Sequence, residues 1–114
     1  MRRSLCLLSV TVSLLGCHPP APPRFQPHTI TLNSGQQLFL IDHRISDYTL
    51  HLRYETHIPL SNVPALQAEA FEVFRVFRAD AESKELELVR VTPQNGSNTS
   101  SFLLSRRLGS WEFQ

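Results

Sequence analysis

Residues 48–81 read YTLHLRYETHIPLSNVPALQAEAFEVFRVFRADA, and this stretch decides the fold class because its hydrophobic period changes partway along from that of a strand to that of a helix. From Tyr48 to His57 apolar and polar residues alternate. Tyr48, Leu50, Leu52 and Tyr54 share one face, while Thr49, His51, Arg53, Glu55 and His57 share the other, as expected of a strand covered on one side. Past Pro59 the spacing lengthens. Leu66, Ala70, Val73, Phe74, Phe77 and Ala81 recur at helical intervals, with Phe71 widening the stripe. Ser61 or Asn62 is the expected N-cap, and Pro64 falls in the first turn, where its missing N–H costs nothing. Glu69 and Glu72 towards the start and Arg75 and Arg78 towards the end suit the helix dipole.

Working outward, His28-Thr29-Ile30-Thr31-Leu32 alternates and meets the turn cluster Asn33-Ser34-Gly35, so a hairpin is expected with Gln37-Leu38-Phe39-Leu40-Ile41. The second strand is apolar on both parities, which predicts a central strand or one covered on both faces. A turn follows at Arg44-Ile45-Ser46-Asp47. On the other side of the helix, Glu85 to Thr92 reads as a strand whose parity shifts between Leu88 and Val89, suggesting a bulge. Pro93 to Ser100 reads as a polar loop, Ser101 to Arg107 as a returning strand, and Trp111 with Phe113 as strand residues after a turn at Gly109. The order β-β-β-α-β-β predicts an α+β domain: a small antiparallel sheet of five or six strands with one helix packed on one face. Phe74, Phe77, Trp111 and Phe113 are expected to supply much of its core.

The whole chain has 114 residues, enough for one small domain. Its formal charge of +1 excludes the strongly basic footprint of a nucleic-acid binder, and 41% hydrophobic residues exclude wholesale disorder.

The N-terminus predicts the compartment. Met1-Arg2-Arg3 is a short basic segment, and Ser4 to Leu15 is an apolar run broken only by Ser, Thr and Cys6, followed at once by His18-Pro19-Pro20. The run is too short for a spanning helix, which needs roughly 20 apolar residues, and has the form of a secretory leader. Its end, Leu14-Leu15-Gly16-Cys17, resembles the lipobox of bacterial lipoproteins. That resemblance covers the first 17 residues. It implies that the Cys17 thiol takes a diacylglyceryl group and that signal peptidase cuts between Gly16 and Cys17, leaving residues 1–16 as the leader. A plain signal peptide with an incidental cysteine, or an untranslocated N-terminal helix, are the other readings of the same residues. His18, where an aspartate would stand in inner-membrane lipoproteins, implies by the same resemblance an outer-membrane anchor facing the periplasm.

Loss of Cys6 with the leader and consumption of Cys17 would leave no free thiol, hence no disulfide, no catalytic cysteine and no thiolate metal site. Removal of Arg2 and Arg3 leaves 9 basic against 10 acidic residues. Residues 17–27 include five prolines between His18 and Pro27 and read as a polyproline-like tether. At about 3.1 Å per residue the tether spans on the order of 30 Å. Residues 28–114 form the domain. The stretches Tyr54 to Leu60, Val63 to Ala70 and Gly109-Ser110-Trp111 resemble small bacterial lipoproteins and periplasmic proteins of hypothetical status, a resemblance that implies no activity.

Chemistry in the domain is sparse. His51 and His57 lie roughly 20 Å apart along an extended strand and cannot bind one metal ion. No Gly-x-Ser-x-Gly elbow and no Gly-rich phosphate loop are present. The pairs Glu69/Glu72 and Glu85/Glu87 read as exposed charge. Asn95-Gly96-Ser97 and Asn98-Thr99-Ser100 match the N-glycosylation pattern but are more simply loop residues in a bacterial envelope protein. No cofactor is expected. The expectation is a non-enzymatic, lipid-anchored envelope protein that binds a partner protein, with a small envelope-acting hydrolase as the alternative. The expected recognition surface is the polar row His51, Arg53, Glu55 and His57, where Arg53 offers bidentate hydrogen bonds and the imidazoles give sensitivity to mildly acidic pH.

Overall fold

The computed structural model describes residues 25–114; the residues read as a leader, Gly16, Cys17 and most of those read as a tether lie outside them. Three strands come first: β1 (His28–Thr31), β2 (Gln37–Ser46) and β3 (Thr49–Glu55). Helix α1 (Val63–Ser83) follows, then β4 (Leu88–Asn95), β5 (Asn98–Thr99), β6 (Phe102–Arg107) and β7 (Ser110–Phe113). They form one sheet in the order β1-β2-β3-β4-β6-β7, with the two-residue β5 pairing with β4. The α+β class holds, and the sheet is mostly antiparallel. It departs from the expected all-antiparallel form at its centre, where β3 and β4 run parallel, Leu50 opposite Val89 and Leu52 opposite Val91. The reason is the helix. A crossover through this 21-residue helix on one face carries the chain back to the end where β3 began, so the next strand must run the same way.

The core lies between α1 and one face of the sheet. Leu38, Leu40, Leu50, Leu52, Tyr54, Val89, Val91 and Leu104 are buried from the sheet, and Leu66, Ala70, Val73, Phe74 and Ala81 from the helix. The four aromatic residues expected in the core are not equally placed in it. Phe74 meets Trp111 at 5.0 Å between ring centroids, whereas Phe71 packs on Phe113, and Phe77 lies at the rim against His43. Phe25, read as tether, also packs against the core, stacking on His43. β2 lies second in the sheet, between β1 and β3, and because a single helix covers one face only it is not covered on both sides; Phe39 is 40% exposed.

Turn chemistry accounts for several departures from the sequence reading. β2 and β3 are joined by Asp47 and Tyr48, both left-handed (φ 53° and 60°), the geometry of a primed hairpin turn. Tyr48 therefore leaves the strand face assigned to it and is 87% exposed. β6 and β7 are joined in the same way through Leu108 (φ 50°) and Gly109 (φ 82°). Pro93 to Ser100, expected as a loop, instead continues β4 to Asn95 and turns back at Gly96 into β5.

Asn62 is the N-cap, but its side chain makes no capping bond, and neither acidic residues in the first turn nor basic residues in the last serve the dipole. Glu72–Arg75 and Arg78–Glu82 instead pair along the helix surface. The C-terminus is a Schellman motif: Leu86 N–H donates to the Ala81 carbonyl at 3.0 Å and Glu85 N–H to that of Glu82 at 3.0 Å. Glu85 occupies the left-handed position with φ 58°. Leu86 is buried as the hydrophobic residue of this cap, which explains the parity shift near Leu88 without a bulge; β4 pairs with β6 in unbroken register. The bulge lies in β2, between Leu40 and Asp42.

Candidate functional site

The bulge in β2 assembles the most distinctive surface of the protein. Before it, Leu38 and Leu40 point to the core. After it, His43 and Ile45 stand opposite Leu52 and Leu50 on the helix side, and Asp42 and Arg44 are delivered to the open face. There Arg44 is opposite His51, His51 opposite Arg90, and Arg90 opposite Leu103. One row along, Asp42 is opposite Arg53, and Arg53 opposite Thr92. With strands about 4.8 Å apart, the three arginine side chains start within roughly 10–12 Å of one another.

These side chains line a concavity of about 410 Å³ with Asp42, Arg44, His51, Arg53, Arg90, Thr92 and Thr99 on its walls. Three guanidinium groups face one carboxylate. Asp42 accepts a hydrogen bond from Arg44 at 3.1 Å, and Arg90 donates to the Ser101 hydroxyl at 3.0 Å. Among the described residues Arg53 makes no ion pair. The cluster thus offers planar, multi-donor cations together with hydroxyls, a set suited to carboxylate or phosphate oxygens.

His51, Arg53 and Glu55 share the open face of β3, and the four expected site residues divide between two concavities. His51 and Arg53 line this concavity, whereas Glu55 and His57 line another, of about 290 Å³, with Thr29, Gln37 and Phe39. β3 ends at Glu55, so His57 lies beyond the ladder. Thr49, on the nominally polar side, is buried at the β2–β3 turn, where its hydroxyl donates to the Asp47 carbonyl. Sequence reading missed Arg44, Arg90 and Asp42. Alternation of Arg90 between Val89 and Val91 marks it as outward-facing; nothing in the sequence of β2 marks the slip that turns Arg44 outward.

Glu69 and Glu72, read alike as exposed charge, have different roles. Glu69 is buried on the helix and accepts from the Tyr54 hydroxyl at 3.0 Å, the Thr56 hydroxyl at 2.6 Å and the Gln36 side-chain amide at 3.3 Å. Burial, and then the facing Glu69 carboxylate, push the Tyr54 phenol well above its ordinary range. Both Glu69 oxygens are occupied by groups of the chain itself, so this carboxylate joins α1 to β3 and to the β1–β2 turn.

Among the described residues no three His, Cys, Asp or Glu side chains are close enough to hold a metal ion, and no helix is long and apolar enough to cross a membrane. Compared with known proteins, the chain matches no family model, no curated protein and no solved structure.

Proposed function

We propose that this chain is a bacterial lipoprotein, anchored through Cys17 in the outer membrane and facing the periplasm, whose α+β domain works by binding an acidic group of an envelope partner protein on its open sheet face. The observation that carries the binding reading is the convergence of Arg44, Arg53 and Arg90 around His51 in one concavity. Arginine keeps its proton in proteins, so three of them hold an anion but do no acid–base chemistry. The binding reading rests on this excess of permanent cations; the hydrolase alternative would draw its acid–base groups from His51 and Asp42 in the same concavity. The lipid anchor is supported by the basic segment, the apolar run and Leu14-Leu15-Gly16-Cys17; two or more acyl chains give stable attachment where one is marginal.

Two measurements test the two halves. Cys17→Ser should abolish incorporation of labelled palmitate, and continued incorporation with membrane fractionation would refute the anchor. In intact lipoprotein cross-linked in cells and recovered, Arg53→Glu with Arg90→Glu should lose the cross-linked partner, while Glu55→Gln with His57→Ala, in the neighbouring concavity, should keep it. Equal recovery from both variants at normal folding would remove the arginine face from consideration.

A further inference from the structure

One end of the domain carries two exposed apolar tips. The Asp47-Tyr48 and Leu108-Gly109 turns both lie there, because Ser46, Thr49, Leu88 and Ser105 are aligned across β2, β3, β4 and β6, and both turns project past that level. Three strand spacings separate them, about 14 Å. Hairpin turns of this kind normally place Asn, Asp or Gly at left-handed positions. Here one such position in each turn holds a large apolar side chain, Tyr48 at 87% exposure and Leu108 fully exposed. Ile45, 45% exposed, adds to the same end.

The chain also enters the domain from this end. His28 pairs with Leu40, so the residues before it run alongside β2 towards Tyr48, and Phe25 stacks on His43 at 5.9 Å. Only seven residues lie between Cys17 and Phe25, eight residue steps with a reach of at most about 28 Å. Tyr48 lies roughly 12 Å beyond His43 in the same direction. Resting on the lipoprotein reading, we infer that this end is a membrane-contact surface: Tyr48 and Leu108 enter the lipid interface beside the anchor and set the orientation of the domain. Tyrosine suits that depth, having an apolar ring and a polar tip. Nearby charges are mixed, Asp47, Glu85 and Glu87 against Lys84, Arg106 and Arg107, so the contact rests on the apolar tips and not on attraction to anionic lipid.

The test uses the mature lipidated protein in vesicles of phosphatidylethanolamine and phosphatidylglycerol. Because thioether formation consumes Cys17, Tyr48→Cys, Leu108→Cys and, at the opposite end, Ser97→Cys each offer one thiol to an environment-sensitive nitrobenzoxadiazole dye. Emission should shift to shorter wavelength and be quenched by brominated lipid at positions 48 and 108, and remain water-like at 97. Water-like emission at 48 and 108 in protein that floats with vesicles overturns the membrane contact alone. Dye uptake by the unsubstituted mature chain, with failure to float, overturns the anchor and the contact with it.

Discussion

Trp111 on β7 donates its indole N–H to the Glu82 carboxylate on α1 across 2.8 Å, while its ring packs against Phe74. The last strand of the sheet is thereby fastened to the last turns of the helix by a polar and an apolar contact from one side chain. The indole bond, and after it Arg78, hold the Glu82 carboxyl below its ordinary value near 4.5. A carboxyl depressed on folding contributes stability above its unfolded value, and that contribution is lost as pH falls through the folded one. Glu82→Gln should therefore flatten the fall in the urea midpoint below about pH 4.5, where the parent protein loses this contribution. Parallel acid limbs for the two proteins would show that the pair adds nothing.

Phe74 is fully buried, and the neighbouring Arg75 is exposed and, among the described residues, paired with Glu72 alone. Phe74→Ala should cost about 3–5 kcal/mol, lost transfer energy plus the cavity left behind. Arg75→Ala should stay within about 0.5 kcal/mol. Urea titration of the two variants checks the assignment of the helix face, and equal midpoints would contradict it.

Glu69 and Glu72 make a second contrast on the same helix. Glu69→Ala leaves the Tyr54 and Thr56 hydroxyls without their acceptor in the interior, a penalty of about 1–3 kcal/mol for each buried group that finds no other partner. Glu72→Ala removes a surface pair and should cost less than about 1 kcal/mol. A ratio of destabilisation near one would mean that Glu69 is not the joint between helix and sheet.

Glu85 occupies a left-handed helix cap that glycine fills without strain. Its side chain is exposed. Glu85→Gly should raise stability by about 0.5–1 kcal/mol, the relief of the β-carbon clash exceeding the added freedom of the unfolded chain. A lowered thermal midpoint would show that this side chain does something the cap geometry does not reveal.

Much of the fold could be read from alternation and helical spacing. Leu50, Leu52 and Tyr54 face the helix as expected, and Leu66, Ala70, Val73, Phe74 and Ala81 face the sheet. Strand direction could not be read, because an alternating run is the same pattern whether its neighbour is parallel or antiparallel. The β2 bulge was hidden for a related reason: Leu38-Phe39-Leu40-Ile41 is apolar at every position, and a one-residue slip leaves no trace in such a run. That slip places Arg44 beside His51, so the β2 part of the candidate site was hidden, whereas alternation marks the outward residues of β3 and, in β4, Arg90. His51 and Arg53 were found by it, and Arg44 and Asp42 were not.

The parallel pairing of β3 and β4 also divides the molecule by the order in which it can form. β1 to β3 close through turns of a few residues, as do β4 to β7, so each half can find its register from local contacts. Joining Leu50 to Val89 and Leu52 to Val91 requires the ends of a stretch of almost 40 residues to meet. The loop-closure entropy of the fold is concentrated at this one seam. Search time during folding should then depend on side chains along β3 and β4 and on the helix that bridges them.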